Sequence, residues 1–302
     1  MRILITGGTG FIGSQLCQRL LMEQHQLLVL TRRPEQVTSP IEAIQNLEQL
    51  DRDLYYDVVI NLAGEAIAAK RWSRSQKQEI VESRLNTTLD LIAYFKRAKR
   101  KPSLLISGSA IGDYGLGEAS SVADTSAPVD EGGVGDESFS SQLCQQWEAV
   151  ALEARELGIR TCLLRTGIVL GRGGALAKML PPFKLGLGGR VGSGSQWMPW
   201  IHIADLVGLI LHCIANEAMQ GAVNGTAPKP VRNREFVRTL ARVLGRPSLL
   251  PLPVFIVRLL LGQMGEELLL AGRRIVPRKA LDGAYHFQYP QLEPALREVL
   301  GK

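Results

Sequence analysis

Residues 2–13 constrain the fold more than any other stretch of the chain. Arg2-Ile3-Leu4-Ile5-Thr6 reads as a short apolar strand and runs into Gly7-Gly8-Thr9-Gly10-Phe11-Ile12-Gly13. Residues 11–23 then carry Leu16, Leu20 and Leu21 on one side of a helix. Strand, glycine turn and helix in that order satisfy both GxxGxxG and GxGxxG spacing. Glycines are required there because the backbone must turn tightly and approach a pyrophosphate. The first helical turn then aims free N–H groups and its dipole at the phosphates. Gly7, Thr9, Gly10, Phe11, Ile12 and Gly13 are therefore expected to bind a dinucleotide.

The end of the second strand selects the cofactor. Residues 27–31 form that strand, followed by Arg32 and Arg33, with no acid between Leu27 and Arg33. An NAD site places Asp or Glu there for the ribose hydroxyls. A guanidinium instead suits a 2′-phosphate, so Thr31 and Arg32 predict NADP. Asn61-Leu62-Ala63-Gly64 closes another strand at residues 57–62. Leu62, Ala63 and Gly64 would let a ribose or ring lie close.

Strands and helices alternate onward: a helix over 73–98, a strand over 103–107, a helix over 139–157 and a strand over 161–165. The long helix opens on Ser73-Arg74-Ser75-Gln76, which fits a capping box. Its stripe is Val81, Leu85, Ile92 and Phe95 with Thr88 between. This βαβα order predicts an α/β protein with a Rossmann-type, doubly wound parallel sheet. After residue 170 the pattern changes to a glycine-rich stretch over 171–199, helices near 205–216 and 233–244, and a mostly helical tail. Residues 1–170, with a returning segment around 200–228, are expected to form the NADP-binding domain. Residues 171–199 and 229–302 form a smaller, mostly helical C-terminal substrate lobe.

Composition agrees. Of 302 residues 45% are hydrophobic, enough for one large domain or a nucleotide domain plus a lobe. Net charge is +6, and the densest basic run, residues 96–101, reads as a solvated helix end. Without aromatic interleaving it does not predict nucleic-acid binding. Cys17, Cys144, Cys162 and Cys213 lie in apolar segments without CxxC pairing, which predicts buried reduced thiols and a cytoplasmic protein. The start lacks a signal peptide's apolar core. Residues 249–270 are apolar but too interrupted for a membrane span. No cluster has metal-ligand spacing and no GxSxG elbow is present.

Thr6–Gly13, the Asn61–Gly64 strand end and Ser107-Gly108-Ser109-Ala110 resemble the extended short-chain dehydrogenase/reductase superfamily. Residues 164–171, 188–194 and 200–205, with the tail at 277–279 and 285–290, resemble its epimerase-family subgroup that ends in a C-terminal domain of unknown function. The resemblance covers essentially the whole chain. It implies an NADP-binding protein acting as an oxidoreductase or epimerase on a small oxygenated molecule. It also implies that Arg84 and Glu79 on the long helix face the cofactor.

That superfamily uses a Tyr and a Lys four residues apart on a helix. The Tyr moves the proton and the Lys lowers its pKa. The matching helix here reads Phe139/Leu143 in one register and Ser140/Cys144 in the other. None of the six tyrosines, Tyr55, Tyr56, Tyr94, Tyr114, Tyr285 and Tyr289, has Lys four residues on. Ser109 matches the residue that binds the substrate oxygen. Tyr114, five residues later, is the remaining catalytic candidate, although without a lysine its pKa would stay near about 10. A non-catalytic NADP(H) sensor acting through a partner is the alternative. His202 is either an acid–base group or a satisfied core residue, Asp205 is read as a cap of the next helix, and Arg165 as a partner for a carboxylate.

Overall fold

A computed structural model describes residues 1–116 and 127–302. The N-terminal half alternates β1 (Arg2–Thr6), α1 (Phe11–Met22), β2 (Gln26–Leu30), β3 (Glu42–Ile44), β4 (Val58–Asn61), α2 (Arg74–Arg97) and β5 (Leu104–Ala110). It continues through α3 (Phe139–Leu152), β6 (Arg160–Thr166), β7 (Ile168–Leu170), α4 (Gly174–Lys184), β8 (Trp197–Met198), β9 (Trp200–His202) and α5 (Ile203–Ala215). The rest is β10 (Gly221–Gly225), β11 (Val231–Arg232), α6 (Asn233–Leu244), α7 (Val254–Leu261), α8 (Gln263–Gly265), a π-helical turn at Glu266–Leu270, α9 (Arg278–Asp282) and α10 (Leu292–Leu300).

Seven strands pair in parallel in the order β10-β6-β5-β4-β1-β2-β3. The fold is the Rossmann-type doubly wound sheet. Strand order reverses between β1 and β4, and ligands of such sheets bind in the crevice at that switch point. Alternate residues explain the two buried faces. Ile3, Ile5, Val29, Ile60 and Ile106 pack against Leu16 and Leu20 of α1 and Leu209 and Ile210 of α5. Leu4, Leu28, Val59 and Leu105 pack on the other face against Leu91, Ile92 and Phe95 of α2 and Ala151 of α3. A third core belongs to the lobe, where Phe183, Trp200, Phe236, Leu240, Leu292 and Leu296 meet.

Several local expectations shift. The sheet gains β3 and β10 at its edges, and β5 runs three residues past 107 because its ladder to β6 continues through Ala110 and Thr166. The glycine-rich stretch contains a helix, α4, whose pattern is obscured by Pro181 and Pro182. Its glycines also have a packing purpose. A Cβ at Gly171 or Gly173 would stand 2.7 Å from the Phe11 ring. The capping box of α2 is half formed: Ser73 Oγ accepts from Gln76 N, and the Gln76 side chain makes no return bond.

Candidate cofactor and substrate site

The glycine turn is built as a cradle. Gly7 has φ +70, and a Cβ there would come within 2.6 Å of the Leu62 carbonyl. At Gly13 a Cβ would come within 2.2 Å of the Gly7 oxygen, so α1 can press onto the turn only without a side chain. Gly10 is the N-cap of α1, with no side-chain cap and no acid in the first turn. The first intrahelical acceptor, Gly10 O, is used by Ser14 N at 2.9 Å. The N–H groups of Phe11, Ile12 and Gly13 therefore remain open to an anion. Thr9 is exposed beside them.

Behind the turn, a chain of buried hydrogen bonds joins the switch-point strands to the helices. Thr6 Oγ1 donates to Asn61 Oδ1 at 2.6 Å and accepts from Ala63 N at 3.2 Å. Asn61 Nδ2 and Trp147 Nε1 both donate to Thr88 Oγ1, at 2.9 and 3.0 Å. Gly108 makes room for the Trp147 ring, since a Cβ there would lie 2.9 Å from it. The turn, the 62–64 strand end and α3 are thus set against one another by polar groups that have no water to fall back on.

Arg84 reaches from α2 into this junction. Its guanidinium lies 5.3 Å from the Trp147 ring centroid, and a Cβ on Gly64 would come within 3.1 Å of it. Nη1 donates to Ile80 O at 3.0 Å. Burial pulls its pKa down, against the opposing influence of Cys144 and Glu65. Glu79 is exposed on the same helix and makes no hydrogen bond or ion pair among the described residues. Arg32 is exposed at the end of β2, while Thr31 is half-buried and its Oγ1 accepts from Arg33 N at 3.2 Å.

On α3 both Leu143 and Cys144 are buried, and neither Phe139/Leu143 nor Ser140/Cys144 supplies a Tyr and a Lys. Ser140, Cys144 and Glu148 are buried at four-residue spacing, and the Cys144 thiol lies beside the Ser109 hydroxyl and the Ala110 backbone. Burial, reinforced by Asp113 and Glu148, pushes that thiol up to about 12. Ser109 Oγ donates to Glu148 Oε1 at 2.6 Å. Glu148 also takes a two-pronged ion pair from Arg165, through Nε and Nη2 at 2.8 Å each, and Arg165 Nη2 meets Asp113 Oδ2 at 2.8 Å. Two carboxylates therefore share one guanidinium in a buried site. Burial, then Glu148, raises Asp113 to about 6 against the pull of Arg165.

Tyr114 departs from expectation. The 3-10 turn Ile111–Tyr114 carries its ring inward, 4.8 Å from the Arg165 guanidinium, and its hydroxyl donates to Asn224 Oδ1 at 2.6 Å. Only 1% of the residue is exposed, and burial raises the phenol to about 12. It does not open onto the cleft. His202 is likewise engaged on both ring nitrogens: Nδ1 accepts from Ala204 N at 3.2 Å and Nε2 donates to Glu298 at 2.7 Å. His202, not Asp205, caps α5. Asp205 is already inside the first turn, and its carboxylate accepts from the backbone of Gln288 and Tyr289, at 2.6 and 2.9 Å.

One participant carries no local sequence signal. Glu267, in the π-helical turn of the lobe, accepts from Ser140 Oγ at 2.6 Å, from Ser140 N at 2.9 Å and from Phe139 N at 3.3 Å. It thereby satisfies the first two backbone N–H groups of α3. The only hint is an acidic pair, Glu266-Glu267, in a leucine-rich run.

The NAD dependent epimerase/dehydratase family profile matches residues 3–224, and a domain of unknown function matches residues 252–299. The chain belongs to that epimerase family. It is 38% identical to epimerase family protein SDR39U1 of Bos taurus, over 99% of this chain and 100% of the relative. It is 36% identical to epimerase family protein YfhF of Bacillus subtilis, over 99% and 98%. The crystal structure of human epimerase family protein SDR39U1 with NADPH superposes with a TM-score of 0.88 at 36% identity, covering 100% of both chains. In this epimerase-family chain the fold and glycine turn are of the family's kind.

Proposed function

We propose that this chain binds NADP(H) at the switch point and acts as an oxidoreductase or epimerase on a small oxygenated substrate near Ser109. The carrying observation is the uncapped, acid-free start of α1 behind Gly7, Gly10 and Gly13, with Arg32 exposed at the end of β2. The open N–H groups of Phe11, Ile12 and Gly13 suit a pyrophosphate, with Thr9 beside them, and Arg32 next to Thr31 suits a 2′-phosphate. The human relative solved with NADPH supports the same choice. Leu62, Ala63 and Gly64 would floor the ribose, with Arg84 as the cation at the inner end of the cleft. Bound there, the cofactor supplies or accepts hydride.

The chain's own proton path starts at Ser109. Because Ser109 donates to Glu148, its oxygen presents lone pairs to a ligand and can accept from a substrate hydroxyl. As that hydroxyl loses its proton to Ser109 Oγ, the proton already on Ser109 passes to Glu148 Oε1. Carbonyl reduction runs the same relay in reverse. Arg165 holds Glu148 in place for it through its two-pronged contact.

The test is a metabolite screen read by nicotinamide absorbance. Turnover should fall at least about 100-fold in Ser109→Ala, the usual lower range for a lost proton-transfer group, with NADPH binding intact. Tyr114→Phe should keep turnover. Activity unaffected by Ser109→Ala would refute the relay. The missing Tyr/Lys pair favours a second reading, a non-catalytic NADP(H) sensor. Absence of turnover together with a co-purifying partner protein would select it.

A further inference from the structure

The outer face of the lobe holds a second concave site, independent of the cofactor cleft. A groove of about 530 Å³ runs between α6 and the start of α10. Its floor is apolar, from Val231 and Leu292, and its rim carries Lys229, Arg234, Arg238 and Arg242. The three arginines recur every four residues along α6, so their roots lie on one face at spacings of about 6 Å.

This arrangement opposes helix stability in two ways. Like charges four residues apart repel. Arg234 also stands in the first turn of α6, where the helix dipole disfavours a cation. Of the two acids that line the groove, Glu235 stands in the same first turn, where the dipole favours it, but makes no side-chain ion pair among the described residues. Glu293 is shared between Arg242, at 3.1 Å, and Arg297, at 2.8 Å. Among the described residues the side chains of Lys229, Arg234 and Arg238 make no hydrogen bond or ion pair. A local rule broken without a folding gain marks a functional site.

We propose that this groove binds a small molecule carrying two or more phosphate groups, such as an oligophosphate or a bisphosphate ester. Guanidinium groups take phosphate oxygens two at a time. The spacing of about 6 Å suits alternate phosphates of an oligophosphate or the two phosphates of a bisphosphate ester. The volume lies in the range of small-ligand pockets. The start of α6 is tied to the glycine-rich loop, because Arg234 N donates to Gly194 O at 2.9 Å and Asn233 Oδ1 accepts from Val191 N at 2.9 Å.

Inorganic tripolyphosphate is the probe, titrated by calorimetry into protein already saturated with NADPH so that the cofactor's phosphate cradle is filled. The expected result is one saturable site, at least tenfold tighter for tripolyphosphate than for orthophosphate. Arg238→Ala and Arg234→Ala should each weaken it tenfold or more while leaving circular dichroism and NADPH affinity unchanged. Non-saturable heats, or unaltered binding in both variants, would overturn the proposal. So would a poly-glutamate peptide that binds the groove in preference to tripolyphosphate.

Discussion

At the residue scale, the cluster around Arg165 decides what the candidate site can do. Asp113 and Glu148 compete for one guanidinium, and Asp113 is held at about 6. A carboxyl with a raised folded-state pKa binds its proton more tightly in the folded chain than in the unfolded one. Its stabilising contribution is complete below about pH 4 and is lost as pH rises through about 6. Asp113→Asn removes that loss. Thermal or denaturant melts should show the variant gaining on the parent by about 1–3 kcal/mol between pH 4 and pH 8. A difference that stays flat across that range would show Asp113 to be fully ionised in its pair with Arg165.

At the element scale, α3 is held from both ends of the sequence. Glu267 reaches back over 127 residues to its first turn. Glu267→Ala should lower stability by about 1–2 kcal/mol, the usual worth of a helix cap, with Glu267→Gln falling between. Denaturant melts of both variants check this, and an unchanged midpoint in Glu267→Ala would contradict it. This contact also shows where sequence reading stops. Strand β1, helix α1 and the turn between them are legible because glycine spacing and the apolar period act within a dozen residues. The α3 register is not, because Phe139, Ser140, Leu143 and Cys144 can each face a core. Tyr114 was near Ser109 in sequence, yet the 3-10 turn after Ala110 directs it inward to Asn224, a partner 110 residues away. Helix α4 was hidden by its two prolines, and β10 by a sequence, Gly221-Ala222-Val223-Asn224-Gly225, with little strand character.

At the scale of the whole molecule, the parallel sheet creates one crevice and the lobe closes beside it. The glycine turn and strand ends at the other side of that crevice are built from short-range motifs, which is why their backbone form is legible in the sequence. The proposed substrate end is assembled from β5, β6, α3 and the π-helical turn, and its geometry depends on long-range partners such as Glu148 and Glu267. All four cysteines are free and buried, and no helix among the described residues is long and apolar enough to cross a membrane. In the proposed function the crevice selects the 2′-phosphate through Arg32. Parallel fluorescence titrations of NADPH and NADH test it most directly. NADPH should bind at least tenfold more tightly, and Arg32→Ala should remove about 1.5–3 kcal/mol of that preference, the worth of a charged hydrogen bond, without weakening NADH. Equal or tighter binding of NADH to the parent protein would contradict it.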